Sequence, residues 1–277
     1  MEVQRLAAFS DGDVGGNPAG VVICDVLPDA AAMQSIAAEV GYSETAFAAP
    51  ENGRWRVRYF APEAEVAFCG HATIALGAAL ALRFDDGVFA LQLNEAAITV
   101  EGRRDECGLT AFLQSPPTRS EPASPRLIGT ALDLFGLSAV QLDQSIAPAI
   151  ANAGVNHLIL ALRSRELLSD MRYDFEAGRA FMTSETIGTV SLLFGETPRL
   201  FHARNPFPVG GVYEDPATGA AAAALAGYLR DIDWPHAGAV DIVQGEDMGS
   251  RSLLHAEIPP ELGSSIRVAG RVRIIEL

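Results

Sequence analysis

The chain has 277 residues, 49% of them hydrophobic, with Lys plus Arg at 20 against Asp plus Glu at 35 and a net charge of −15. That balance argues against nucleic acid, whose phosphates need cationic neutralisation, and against an anionic membrane surface. An anionic small substrate stays open, because a site can be locally positive in an acidic protein.

The first residues, "MEVQRLAAFSDGD", lack a basic stretch followed by an apolar one, so no secretory signal is expected. "VVICDV" reads as a short strand. In "DAAAMQSIAAEVG", Met33, Ile36, Ala37 and Val40 recur at helical spacing and Gly41 is a natural stop. "RWRVRYF" alternates Trp55, Val57 and Tyr59 with Arg54, Arg56 and Arg58, the period of a strand. Residues 71–82, "HATIALGAALAL", form a helix candidate that is apolar on all faces. The apolar run 66–82 is too short, and too interrupted by Gly70 and His71, to read as a membrane span. "FALQLNEAAITVEG" supplies further short strands.

Pro116, Pro117, Pro122 and Pro125 crowd "SPPTRSEPASP", which excludes a helix interior or a central strand and marks a linker. Beyond it, "RLIGTALDLFG" reads as an amphipathic helix ending at Gly136. "HLILAL", "RLFHAR", "AVDIVQG", "SLLHAEI" and "IRVAGRVRIIEL" read as strands. "TGAAAAALAGYL", residues 218–229, is a second all-round apolar helix. A helix without a polar face must be buried on every side. The expected fold is therefore α+β, in two similar domains. Each is a curled, mostly antiparallel sheet or barrel around a central apolar helix. The expected boundaries are 1–115 with the last strand 268–277, and 126–267, joined by a linker at 116–125.

Both apolar helices follow glycine-containing turns, "FCGHAT" and "EDPATGAA". Their N-termini offer unpaired N–H groups to carboxylate or enolate oxygens. Two such termini, one per half, are expected to face each other across a domain interface, a preferred place for a small-molecule pocket. Cys24, Cys69 and Cys107 are odd in number and widely spaced, so neither a disulfide framework nor a zinc pair is expected. Cys-x-His at 69–71 lacks zinc-like spacing to His157, His202, His236 or His255. No Walker or strand-linked GxGxxG pattern is present for a nucleotide. The expectation is a soluble protein of a reducing, cytoplasmic compartment.

Five blocks occur in order: "GNPAGV", "GYSETAF", "FAPEAEVAFCGHATIALGAAL", "GGVYEDPATGAAAAALAGYL" and "QGEDMGSRS". Together they resemble the phenazine-biosynthesis PhzF-like family, within the diaminopimelate-epimerase-like fold, over nearly the whole chain. The resemblance implies a cofactor-independent isomerase or epimerase of small carboxylates, commonly homodimeric, with no metal. It identifies Glu44 in "SETAF" with the family's general acid/base. A carboxylate beside Tyr42, Ala46 and Phe47 can take and return a proton. The alternative for Glu44 is a solvated or helix-capping role. His71 and Asp215 match family site residues and are the expected catalytic companions of Glu44, orienting the substrate and assisting proton transfer, the alternatives being a histidine bonded to backbone and a turn aspartate. Asn17, Ser43, Gly70, Thr73, Thr218, Gly219 and Ala220 are the accompanying substrate-binding candidates. Glu214 is expected to be solvated.

Cys69 invites a two-thiol epimerase, as in the wider fold, yet no cysteine follows Cys107 to serve as a partner. A small packing residue is the favoured reading, with a two-base epimerase using Cys69 as the alternative. A Cys69–His71 hydrolase pair is disfavoured because i and i+2 diverge on a helix, although the turn before the helix could relax that, and no Asn or Asp orienter is evident. One departure stands out. The residue after "ATG" is commonly serine in the family and is Ala220 here, which favours a different, less polar substrate. It also admits a catalytically silent, ligand-binding member.

Overall fold

The structure is a computed structural model describing residues 1–106 and 108–275. Cys107 and the last two residues of the expected terminal strand lie outside the described residues. The elements run β1 (Gln4–Ala8), β2 (Asn17–Ile23), α1 (Ala30–Val40), β3 (Thr45–Glu51), β4 (Arg54–Phe60), β5 (Glu65–Val66), α2 (Gly70–Phe84), β6 (Gly87–Gln92), β7 (Ala97–Asp105) and β8 (Gly108–Pro117). Next come β9 (Arg119–Pro122), α3 (Pro125–Phe135), β10 (Ala149–Asn152), β11 (Asn156–Ala161), α4 (Arg165–Ser169), α5 (Phe175–Glu185) and β12 (Thr189–Thr197). The chain continues through β13 (Leu200–Phe207), β14 (Val212–Asp215), α6 (Gly219–Asp231), β15 (Ala239–Gln244), β16 (Ser252–Glu257) and β17 (Ser265–Ile274).

These elements form two units, Met1–Gln114 with Ala269–Leu277, and Ser115–Val268. In the first, β1–β2, β3–β4, β6–β7, β7–β8 and β1–β17 pair antiparallel, while β2–β3 and β4–β6 pair parallel. The β8–β17 pairing closes the ring. Closure leaves no free edge, and α2 fills the interior. Every residue from His71 to Ala81 is buried, as a helix without a polar face requires.

The second unit repeats the order. β9–β10, β10–β11, β12–β13 and β15–β16 are antiparallel, and β11–β12 and β13–β15 are parallel. The short β14 pairs with β13 as β5 pairs with β4. Here α6 is the central helix, buried from Ala221 to Arg230 and touching β9, β10, β11, β15 and β16. A separate apolar layer of α3, α4 and α5 residues, including Leu127, Leu132, Leu168 and Met182, covers the outer face of β11 and β12.

Local chemistry sets the ends of these elements. The Asp29 carboxylate accepts the Ala32 N–H at the start of α1, and Gly41 takes the left-handed conformation (φ 71°) that stops it. Ser124 and Gly136 (φ 63°) do the same for α3. The proline-rich stretch read as a linker is built into these elements instead. Pro116 and Pro117 close β8, Pro122 closes β9 and Pro125 opens α3. Each lies at a strand end or a first helical turn, where a missing N–H is tolerated. Among the described residues no helix is long and apolar enough to cross a membrane.

Candidate active site

In the first unit the site grows from two chain reversals. After the Gly41 stop, Tyr42, Ser43 and Glu44 lead into β3, and the Gly20 N–H donates to the Glu44 carbonyl at 3.2 Å. That bond anchors the backbone from which the Glu44 carboxylate projects. Cys69, in an extended conformation (φ −142°), precedes α2, and its thiol makes no cap bond to the helix. The Thr73 hydroxyl donates to the Cys69 carbonyl at 2.7 Å and meets the Tyr59 hydroxyl at 2.6 Å. Burial holds the Tyr59 phenol far above its ordinary range, so it stays neutral.

The side chains converge on the His71 imidazole, which is itself buried. Its Nδ1 lies 3.3 Å from Cys69 Sγ. Its Nε2 lies 3.3 Å from Ser43 Oγ and 3.4 Å from Glu44 Oε2. Glu44 Oε2 is buried and makes no hydrogen bond, although its side chain keeps 14% of its exposure. A buried acceptor without a donor is costly, so this oxygen calls for an explanation. With Nε2 protonated, the ring donates to Ser43 Oγ, and Nδ1 accepts from the thiol.

Two sequence expectations change here. Cys69 and His71 do meet, because Cys69 sits on the turn before α2 rather than on the helix, where i and i+2 would diverge. Spacing to the downstream histidines also missed a cluster of donor groups. Glu44, Cys69 and His71 hold ligand-type atoms within 4.8 Å of one another. The carboxylate comes from a separate loop, so no spacing rule exposes it.

In the second unit, β13 turns at Gly211 (φ 85°) into β14, which delivers Glu214 and Asp215. Glu214, expected to be solvated, is buried. Its carboxylate takes a two-pronged ion pair from the buried Arg204, at 2.8 and 2.7 Å. A buried carboxylate needs such a partner, and cross-strand placement supplies it. Asp215 Oδ2 accepts from the Thr218 hydroxyl at 2.6 Å. Gln244, at the end of β15, ties this turn together. It donates to the Asp215 carbonyl (2.6 Å) and to Thr218 Oγ1 (2.9 Å), and accepts the Thr218 N–H (3.1 Å). The next residue must be glycine, since Gly245 has φ 74° and a Cβ there would stand 2.7 Å from the Pro216 carbonyl. Gln244 opens the "QGEDMGSRS" block, and that position was the only signal of its role.

Of the binding candidates, Ser43 and Gly70 sit at the first cluster, and Thr218, Gly219 and Ala220 at the second. Thr73 is buried, its hydroxyl engaged by Tyr59 and the Cys69 carbonyl. Asn17 opens β2, buried opposite Ala8.

Known proteins resemble this chain across its whole length. It is 31% identical over 283 residues to a protein named uncharacterized isomerase from Mesorhizobium japonicum, covering 95% of this chain and 92% of that one. It is 31% identical over 257 residues to the trans-2,3-dihydro-3-hydroxyanthranilate isomerase of Pseudomonas fluorescens, covering 91% and 88%. The fold matches the crystal structure of a Bacillus anthracis PhzF-family phenazine biosynthesis protein with a TM-score of 0.86 and 21% identity, over 100% of this chain and 98% of that one. The model of the PhzC-PhzF family, phenazine biosynthesis-like proteins, matches residues 6–275, and the chain belongs to that family.

Proposed function

We propose that this protein is a cofactor-independent isomerase that relocates a proton on a small amino- or hydroxy-substituted carboxylate, with Glu44 as the single general acid/base. The observation that carries this is the Glu44 carboxylate, its inner oxygen buried, without a hydrogen bond and 3.4 Å from His71 Nε2.

The repeated topology supports one base rather than two. Glu44 immediately precedes Thr45, whose pairing with Gly20 opens the parallel β2–β3 ladder. The matching ladder opens at His157 and Thr189, and the residue before Thr189 is Gly188. Likewise Cys69, Gly70 and His71 at the start of α2 correspond to Thr218, Gly219 and Ala220 at the start of α6. At these matching positions the second unit carries no acid or base.

In the proposed reaction, ionised Glu44 takes a carbon-bound proton. Peptide N–H groups at the start of α2 stabilise the enolate-like charge, and the protonated Glu44 returns the proton to a different carbon. His71 orients the substrate and steadies the carboxylate. Asp215, Thr218 and Gly219 are proposed substrate contacts. Ala220 offers a methyl group where a hydroxyl would hold a polar substituent. The substrate therefore differs there from one bound through a serine.

Incubation with small cyclic and acyclic carboxylates in heavy water, followed by NMR, tests the reading. The Pseudomonas relative's dihydro-hydroxyanthranilate belongs in the set. Wild type is expected to isomerise a substrate and to exchange its proton, and Glu44→Gln to lose roughly 100- to 10,000-fold in rate. A second reading, a two-base epimerase using Cys69, draws on the Sγ–Nδ1 contact of 3.3 Å. Full activity in Glu44→Gln with none in Cys69→Ala would replace the first reading with the second.

A further inference from the structure

Cys69, His71 and Glu44 present three kinds of donor, a thiol sulfur, an imidazole nitrogen and a carboxylate oxygen, all within 4.8 Å of one another. Zinc bonds of ~2.0–2.3 Å to such donors place the ligand atoms of a tetrahedral ion roughly 3.3–3.6 Å apart. Glu44 Oε2 already lies 3.4 Å from His71 Nε2, and Cys69 Sγ lies 3.9 Å from the same nitrogen. The thiol faces Nδ1, at 3.3 Å, and must turn away from it to join an ion held on Nε2. The backbone around it is held in place. Cys69 and His71 flank the first residue of a helix buried from His71 to Ala81, and the Glu44 carbonyl is held by the Gly20 N–H. The Glu44 Oε2 atom adds an independent sign, being buried and making no hydrogen bond.

We propose that this cluster is a binding site for a divalent transition cation of zinc-like character. Cys69 Sγ, His71 Nε2 and Glu44 Oε2 serve as ligands, and the fourth position stays open to water or to a carboxylate oxygen. On binding, the thiol proton passes to water, the sulfur coordinates as thiolate, the imidazole coordinates through its neutral nitrogen, and the carboxylate coordinates ionised. Sulfur and nitrogen donors select zinc, cobalt or cadmium over magnesium and calcium, which favour all-oxygen sites. An ion held there occupies the carboxylate and imidazole together. If Glu44 is the acid/base, the ion is a reversible inhibitor. That consequence rests on the isomerase reading, whereas binding itself does not.

Cobalt(II) added to the purified full-length protein tests the proposal, because a cobalt–thiolate bond gives a charge-transfer absorption that oxygen and nitrogen ligands do not. The expected result is one cobalt per chain with a charge-transfer band that zinc displaces and magnesium does not. The band is lost in Cys69→Ala and kept in a Cys24→Ser/Cys107→Ser double variant. Glu44→Gln and His71→Gln should each weaken zinc retention against a chromophoric chelator. Thermal melts of each variant show that the fold persists. No charge-transfer band at saturating cobalt, or a band that survives Cys69→Ala, overturns the site. Tight cobalt binding without loss of proton exchange leaves the site standing and overturns Glu44 as the acid/base instead.

Discussion

Single residues in this protein carry meanings that depend on which neighbours the fold gives them. His157 is a clear instance. It is buried on β11, its Nδ1 2.8 Å from Thr189 Oγ1, and its Nε2 has no hydrogen-bond partner. Burial pushes its pKa down to about 4 from 6.5. Between those values the unfolded chain binds a proton that the folded one refuses. Stability is therefore intact above the upper value and falls as pH drops through the window, by about 3 kcal/mol in all. Thermal melts from pH 7 to pH 4 are expected to show this loss, and His157→Gln to flatten it. An unchanged slope in the variant would place the acid sensitivity elsewhere. The same dependence on neighbours applies to Glu214. Sequence context makes it an ordinary turn glutamate, and only the cross-strand Arg204 makes it a buried ion pair.

At the scale of elements, the two apolar helices are built for close approach. A Cβ on Gly102 of β7 would lie 2.2 Å from the Gly77 carbonyl of α2 and 2.8 Å from Ala81 Cβ. Gly102→Ala must push strand and helix apart, a cost of about 1–3 kcal/mol. Chemical denaturation should register it as a lower midpoint, and no change would mean that the interior has slack. Small residues along α2 and α6 were readable from the sequence as a demand for near backbones, and so was the alternation in β4. β3, "TAFAAPE", was not. Its first five residues are buried on both faces, so no alternation marks it as a strand. β5, at two residues, was also beyond reach, because it is too short to show a period.

For the molecule as a whole, the first unit is discontinuous in sequence. Its ring is completed by Ala269 onward, where β17 meets β1 through Val272, Arg273 and Ile274. A chain ended at Val268 loses that strand and leaves β1 and β8 as open edges, which favour aggregation over folding. Such a chain is expected to lose the cooperative unfolding of the first unit and to associate in light scattering. A monomeric, fully cooperative product would show that the strand is dispensable.

By itself the sequence determined the two central helices, the glycine stops of α1 and α3, many of the strands, the α+β class and the identity of Glu44, His71 and Asp215 as candidates. These follow from local periodicity, glycine and proline chemistry, and motif order, all of which are written along the chain. The tertiary structure alone decided that Cys69 reaches His71, that Glu44 leaves an oxygen buried beside the same ring, that Gln244 braces the Asp215 turn, and that the proline-rich stretch is strand and helix rather than linker. Each of these joins residues far apart in sequence or depends on a backbone turn. Burial and hydrogen-bond satisfaction are settled by what packs in three dimensions, and no spacing along the chain encodes that.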